Sequence, residues 1–180
     1  MRRALIFALA WLPVAAVGQS RVTDFLGGLA TDGYTIADAP RRFEFPADHG
    51  AHPQFRSEWW YFTGNLTAED GRHFGFQLTF FRYALAPRPV ARQSAWATSQ
   101  AWMAHFTLTD TATGRMHAAE RIARGALGMA GANALPFRVW LDDWQAASLA
   151  ADGSLFPLRL VAEQAPVAIE LELTTLKPLV

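Results

Sequence analysis

Turn signals recur in this chain at intervals too short for helices. Asp70-Gly71, Asp110 to Gly114 and Asp152-Gly153 each fall between runs rich in aromatic and β-branched residues. Paired Asp-Gly residues favour tight hairpin turns, and short runs between such turns read as strands. The runs are Ser57–Leu66, His73–Tyr83, Ala101–Thr109, Met116–Ala123, Phe137–Leu141, Gln145–Ala150, Leu155–Ala162 and Ala168–Leu176. Regular spacing of this kind predicts an all-β barrel or sandwich. The best-marked hairpin joins the first two runs through Glu69-Asp70-Gly71-Arg72.

Alternation assigns the faces of that hairpin, because successive strand residues point to opposite sides. Glu58, Trp60 and Phe62 share one face of the first strand, and Trp59, Tyr61 and Thr63 share the other. In the second strand Phe74, Phe76, Leu78, Phe80 and Arg82 lie opposite Gly75, Gln77, Thr79 and Phe81. Neither strand has a plainly polar side, so both faces are expected to be at least partly covered. One Trp of the Trp59-Trp60 pair is expected to face inward and the other outward.

The N-terminus carries a different pattern. Arg2-Arg3, an apolar run from Ala4 to Val17 and small residues at Ala16 and Gly18 describe a secretory signal peptide over residues 1–18. The run is shorter than the about 20 apolar residues a membrane span needs. The mature protein is therefore expected in the periplasm or outside the cell. Residues 19–45 form an N-terminal arm with a candidate short helix over Arg21–Leu29, and the β-barrel domain is expected over 46–180.

Composition removes several functions. With 16 basic and 16 acidic residues the chain is formally neutral, whereas nucleic-acid binding needs a basic surface. Without cysteine it has no disulfide, thiolate metal site or Cys nucleophile. Gly125, Gly128 and Gly131 lack the Lys and Ser/Thr of a phosphate loop, and no Gly-x-Ser-x-Gly elbow occurs. No cofactor is expected. Aromatics at 13% suit an apolar ligand cavity.

Several residues are candidates for a site. Glu58, a carboxylate in an aromatic strand, reads either as a buried acid or orienting group, or as an ion pair with Arg56 or Arg82. Trp59, Trp60, Tyr61, Phe80 and Phe81 line a cavity or pack as core. Gln77 and Arg82 fix a ligand's polar end or satisfy buried backbone. His105 bonds Gln77 or a ligand, or is a satisfied core or interface histidine. His49 and His52, with Glu58 beyond, have only a loose metal-ligand spacing, and Gly50 and Pro53 mark a turn rather than a zinc-hydrolase helix, so hydrogen bonding of their loop to the strand ends is expected instead. No metal site is expected.

The segments Phe45-Pro46-Ala47-Asp48-His49-Gly50-Ala51-His52-Pro53, Glu58-Trp59-Trp60-Tyr61-Phe62-Thr63-Gly64-Asn65-Leu66 and Gly75-Phe76-Gln77-Leu78-Thr79-Phe80-Phe81-Arg82 resemble the carotenoid 1,2-hydratase family. The secreted, AttH-like members are the nearest in style. The likeness continues through Trp102-Met103-Ala104-His105-Phe106, Gly125 to Ala132 and Phe137 to Trp144. It implies a lipocalin-like antiparallel β-barrel, the first of a tandem pair whose second member carries the acid groups proposed for hydration. It also implies a hydrophobic, isoprenoid- or lipid-like ligand. The partners it suggests are a second barrel domain, self-association in its place, or components of an ABC transport system. The activity it suggests is water addition to an isoprenoid double bond, with Glu58 the candidate acid in this chain.

Overall fold

The computed structural model describes residues 32–88 and 93–177. The expected signal peptide and the candidate helix over Arg21–Leu29 lie outside the described residues. Nine strands follow one another: β1 (Ser57–Thr67), β2 (His73–Ala84), β3 (Gln100–Asp110), β4 (Arg115–Arg124), β5 (Ala130–Ala134), β6 (Phe137–Leu141), β7 (Trp144–Ser148), β8 (Leu158–Gln164) and β9 (Val167–Leu173). The helical element among the described residues is a single 3-10 turn at Ala47–His49. The protein is all-β, as the strand spacing predicts. β1 to β4 form one antiparallel meander and β5 to β9 a second.

The β1–β2 hairpin closes at the predicted turn. Thr67 pairs with His73, and the Ala68 amide donates to the Arg72 carbonyl at 2.8 Å. Gly71 sits there at φ 82, a left-handed conformation that costs glycine nothing. That register pairs Glu58 with Arg82 and Trp60 with Phe80.

The inner faces of the two sheets meet in one core. Leu78, Phe80, Trp102 and Phe106 from the first sheet face Val139, Leu141, Trp144 and Leu160 from the second, all essentially without solvent exposure. Phe106 meets Trp144 edge-on at 5.7 Å between ring centres, a favoured aromatic geometry that ties sheet to sheet.

Three local expectations are corrected. β5 is a strand whose sequence, Ala-Gly-Ala-Asn-Ala, has low β propensity and gives no local signal. It forms because Gly131 lets Trp140 of β6 lie flat against it; a Cβ there would sit 2.6 Å from the indole. β8 begins at Leu158 rather than Leu155, because Pro157 has no amide to give a ladder and its carbonyl instead accepts from Leu149 at 2.8 Å. Covering of both hairpin faces holds for β2, where outward Thr79 is buried and Phe81 and Tyr83 are half-buried. It does not hold for β1, an edge strand with one neighbour, whose outward Trp59 and Tyr61 are 64% and 53% exposed.

Candidate functional site

A cleft of about 900 Å³ runs along the free edge of β1. One wall is β1 itself, with Trp60 and Phe62 from its inner side and Trp59 and Tyr61 from its outer side. The arm before β1 forms the opposite wall through Ile36, Pro40 and Phe43, and Phe137 contributes from β6. The wall is mainly apolar. Strand alternation explains how consecutive aromatic residues serve it: at an open edge both faces of a strand are within reach of the same groove.

The arm is held at both ends. Tyr34 donates its hydroxyl proton to the Ala84 carbonyl at 2.9 Å, and the Thr35 amide donates to Gln54 at 3.0 Å. At the far end Arg41 grips Asp48 with two bonds, at 2.7 and 3.2 Å, and the Glu44 amide donates to the same carboxylate at 2.5 Å. These donors, Arg41 first, hold the Asp48 carboxyl well below the usual carboxylate range.

Asp48 begins a chain of polar contacts among the residues that line the cleft. His52 Nε2 lies 2.8 Å from Asp48 Oδ1, and His52 Nδ1 lies 3.1 Å from Glu58 Oε2. Glu58 accepts the His52 amide at both oxygens, 2.9 and 3.0 Å, and the Arg82 Nε proton at 2.5 Å. Arg82 has no solvent exposure; its Nη2 donates to the carbonyls of His52 and Phe55 at 2.9 and 2.7 Å. A guanidinium with this many fixed acceptors locks the loop onto the strand pair. The 3-10 turn adds another tie, since Trp60 Nε1 donates to the His49 carbonyl at 2.9 Å. The turn also packs on β5, with Gly50 so close to Ala134 that a Cβ would stand 2.9 Å from it. Burial between Phe45 and Phe137 pushes the His49 imidazole below its ordinary value, toward the neutral form.

The structure therefore joins Glu58, Trp59, Trp60 and Tyr61 at one cleft, with Arg82 directly behind it. Of the ion pairs expected for Glu58, the one with Arg82 is formed. Its oxygens accept from the His52 amide and from Arg82 Nε, so it serves as an acceptor. Trp60 faces inward and stacks on Trp102 at 5.6 Å, while Trp59 faces outward.

Gln77, Phe81 and His105 lie elsewhere, on the outer face of the first sheet. Gln77 Nε2 donates to Thr79 Oγ1 at 3.3 Å. His105 meets Glu120 at 2.9 Å and the edge of Phe81, so its partner is not Gln77. Sequence reasoning missed Arg41 and Asp48. Neither sits in a periodic segment, and the only local signal was an acid, Asp48, close to His52 in a non-periodic loop. Among the described residues no group of three His, Asp or Glu is arranged to hold a metal ion.

These features define a two-sheet antiparallel β protein with an apolar cleft on an edge strand and paired charges in its lining. The chain belongs to the AttH-like family, whose family model matches residues 36–180. A crystal structure of a protein from Nitrosomonas europaea, provisionally named AttH, is similar in fold with a TM-score of 0.63 and 34% identity. The match covers 81% of this chain and 41% of that one, so this chain spans less than half of that protein's length. No curated protein matches the chain.

Proposed function

We propose that this AttH-like chain binds a hydrophobic small molecule, isoprenoid- or lipid-like, in the cleft along β1. The observation that carries this reading is the cleft's form: about 900 Å³, walled mainly by aromatic and aliphatic side chains, with Arg41, Asp48, His52 and Glu58 gathered in one contact cluster. Ligand sites are commonly apolar with a few fixed polar groups that orient the ligand. We assign Glu58 to positioning. Its oxygens are occupied as acceptors, whereas proton donation to an alkene of the carotenoid 1,2-hydratase kind requires a carboxyl that carries the proton. With the signal-like segment 1–18, the reading fits an exported protein that passes such ligands to an ABC transport system.

The test is displacement of an environment-sensitive naphthalene probe from the full chain by geranylgeraniol, retinol and hexadecanol. Saturable displacement at one ligand per chain is expected. Absence of saturable displacement by all three would sink the reading.

A second reading is favoured by the outer face of the first sheet. Trp59, Phe81, Met103 and Ile122 form one row across its four strands, and Trp59, Tyr61 and Ile122 stay largely exposed. Apolar patches of this kind commonly mark interaction surfaces. The occupant we assign is a second β-domain, as the greater length of the Nitrosomonas protein suggests, replaced in the isolated chain by a second copy. Sedimentation should show concentration-dependent dimers that the Trp59→Ser, Tyr61→Ser pair abolishes. A strict monomer at the highest attainable concentration would exclude this role.

A further inference from the structure

The arm segment 36–43, which walls the cleft opposite β1, is fixed at its two ends and held little in between. At the near end the Thr35 amide donates to the Gln54 carbonyl, and Thr35 makes a parallel bridge with Phe55 just before β1. At the far end Glu44 shares two bonds with Asp48: its amide donates to the carboxylate, and its carbonyl accepts from the Asp48 amide at 2.9 Å. Asp48 belongs to the 3-10 turn that packs on β5, so this end is anchored to the second sheet. Between the ends, residues 36–40 form no hydrogen bond to another described residue, and all of 36–43 are exposed. Within the span Arg41 ties to Asp48, with 45% of the Arg41 side chain exposed. Exposed ion pairs hold weakly, and a segment with few packed contacts moves at little cost.

A second observation gives that motion a direction. Ile36 and Phe43 of the segment line the cleft, as do Trp59 and Tyr61 of β1, and each of the four is more than half exposed. Two facing walls thus keep apolar surface in water. Burying such surface is favourable in proportion to its area, so an apolar chain lying between the walls draws them together.

Resting on the cleft reading above, we propose that residues 36–43 are a strap that closes onto β1 when an apolar chain occupies the cleft. Thr35 and Glu44 are its fixed ends, and the Arg41–Asp48 pair restrains it while the cleft is empty. Closure brings Ile36 and Phe43 against the ligand from the side opposite Trp59 and Tyr61.

The chain has no cysteine, so nitroxide labels can be placed singly at chosen thiols. One pair, Asp38→Cys and Asn65→Cys, joins the strap to the far part of β1; a reference pair, Asn65→Cys and Ala112→Cys, lies on the first sheet and its β3–β4 turn. Pulsed electron resonance measures both distances in the full chain, free and saturated with the naphthalene probe, whose fluorescence reports occupancy in the same sample. Near-ultraviolet circular dichroism reports that the labelled chains are folded. The strap distance should shorten by more than about 2 Å on binding, the scale of a loop rearrangement, while the reference distance stays constant. Arg41→Gln should broaden the distribution of the strap distance in the free chain. An unchanged or longer strap distance at saturation overturns the strap and leaves the cleft reading standing. A distribution that Arg41→Gln does not broaden overturns the restraint assigned to Arg41. Absence of saturable probe binding overturns the strap and the cleft reading together.

Discussion

Replacing Glu58 by Gln tests whether the chain of polar contacts holds the cleft together. Gln keeps the shape and one acceptor oxygen but removes the charge facing Arg82, which has no solvent exposure. It also places an amide donor where two donors already converge, from Arg82 Nε and the His52 amide. Breaking a buried pair from one side costs about 3–5 kcal/mol, because the remaining charge is left uncompensated. Arg82 keeps its bonds to the His52 and Phe55 carbonyls, and Glu58 is 15% exposed. Both facts argue for the lower end of that range, about 3 kcal/mol. For a chain of this size that corresponds to a fall in Tm of roughly 6–12 °C. Urea unfolding followed by near-ultraviolet circular dichroism, where the Trp residues report packing, measures the difference directly. The double variant Glu58→Met, Arg82→Met removes both charges and should recover to within about 2 kcal/mol of the parent. If Glu58→Gln unfolds within about 0.5 kcal/mol of the parent at unchanged slope, the pair does not anchor the loop and the reasoning fails.

Two further predictions follow from single contacts. Gly131→Ala puts a Cβ 2.6 Å from the Trp140 ring, so β5 must shift or the indole must move, at about 1–3 kcal/mol; a urea midpoint equal to the parent's would show that the sheet edge yields freely. Asp48 has a folded-state pKa below its ordinary 3.8, so it takes up a proton less readily folded than unfolded. Its contribution is complete above about pH 3.8 and is lost as pH falls through the folded value. Asp48→Asn should therefore be less stable than the parent at pH 6 and lose less stability between pH 6 and pH 3; parallel stability curves would contradict the assignment.

The residues most readable in the sequence are those whose behaviour depends on near neighbours. Asp70-Gly71 sets the turn, the turn sets the register, and the register places Glu58 opposite Arg82. Alternation then separates Trp59 from Trp60 and puts Gln77 and Phe81 on the side opposite Arg82. Faces can be read this way, but partners cannot. His105 was open to Gln77 by face, since both point outward, yet it lies opposite Glu120 in the register and bonds it.

The sequence by itself determined the class of fold, because the period of a strand and the conformation of an Asp-Gly turn are properties of the backbone over a few residues. It could not determine that β1 is an edge strand, that Ala130–Ala134 is a strand, or that a cleft lies where the arm crosses β1. Those depend on which surfaces meet. The chain of polar contacts from Arg41 through Asp48, His52 and Glu58 to Arg82 joins residues from an arm, a loop and two strands. Coulombic and hydrogen-bond energies fall off within a few ångströms and take no account of distance along the chain. Only the packing of the arm and loop against the sheet brought these groups within that range.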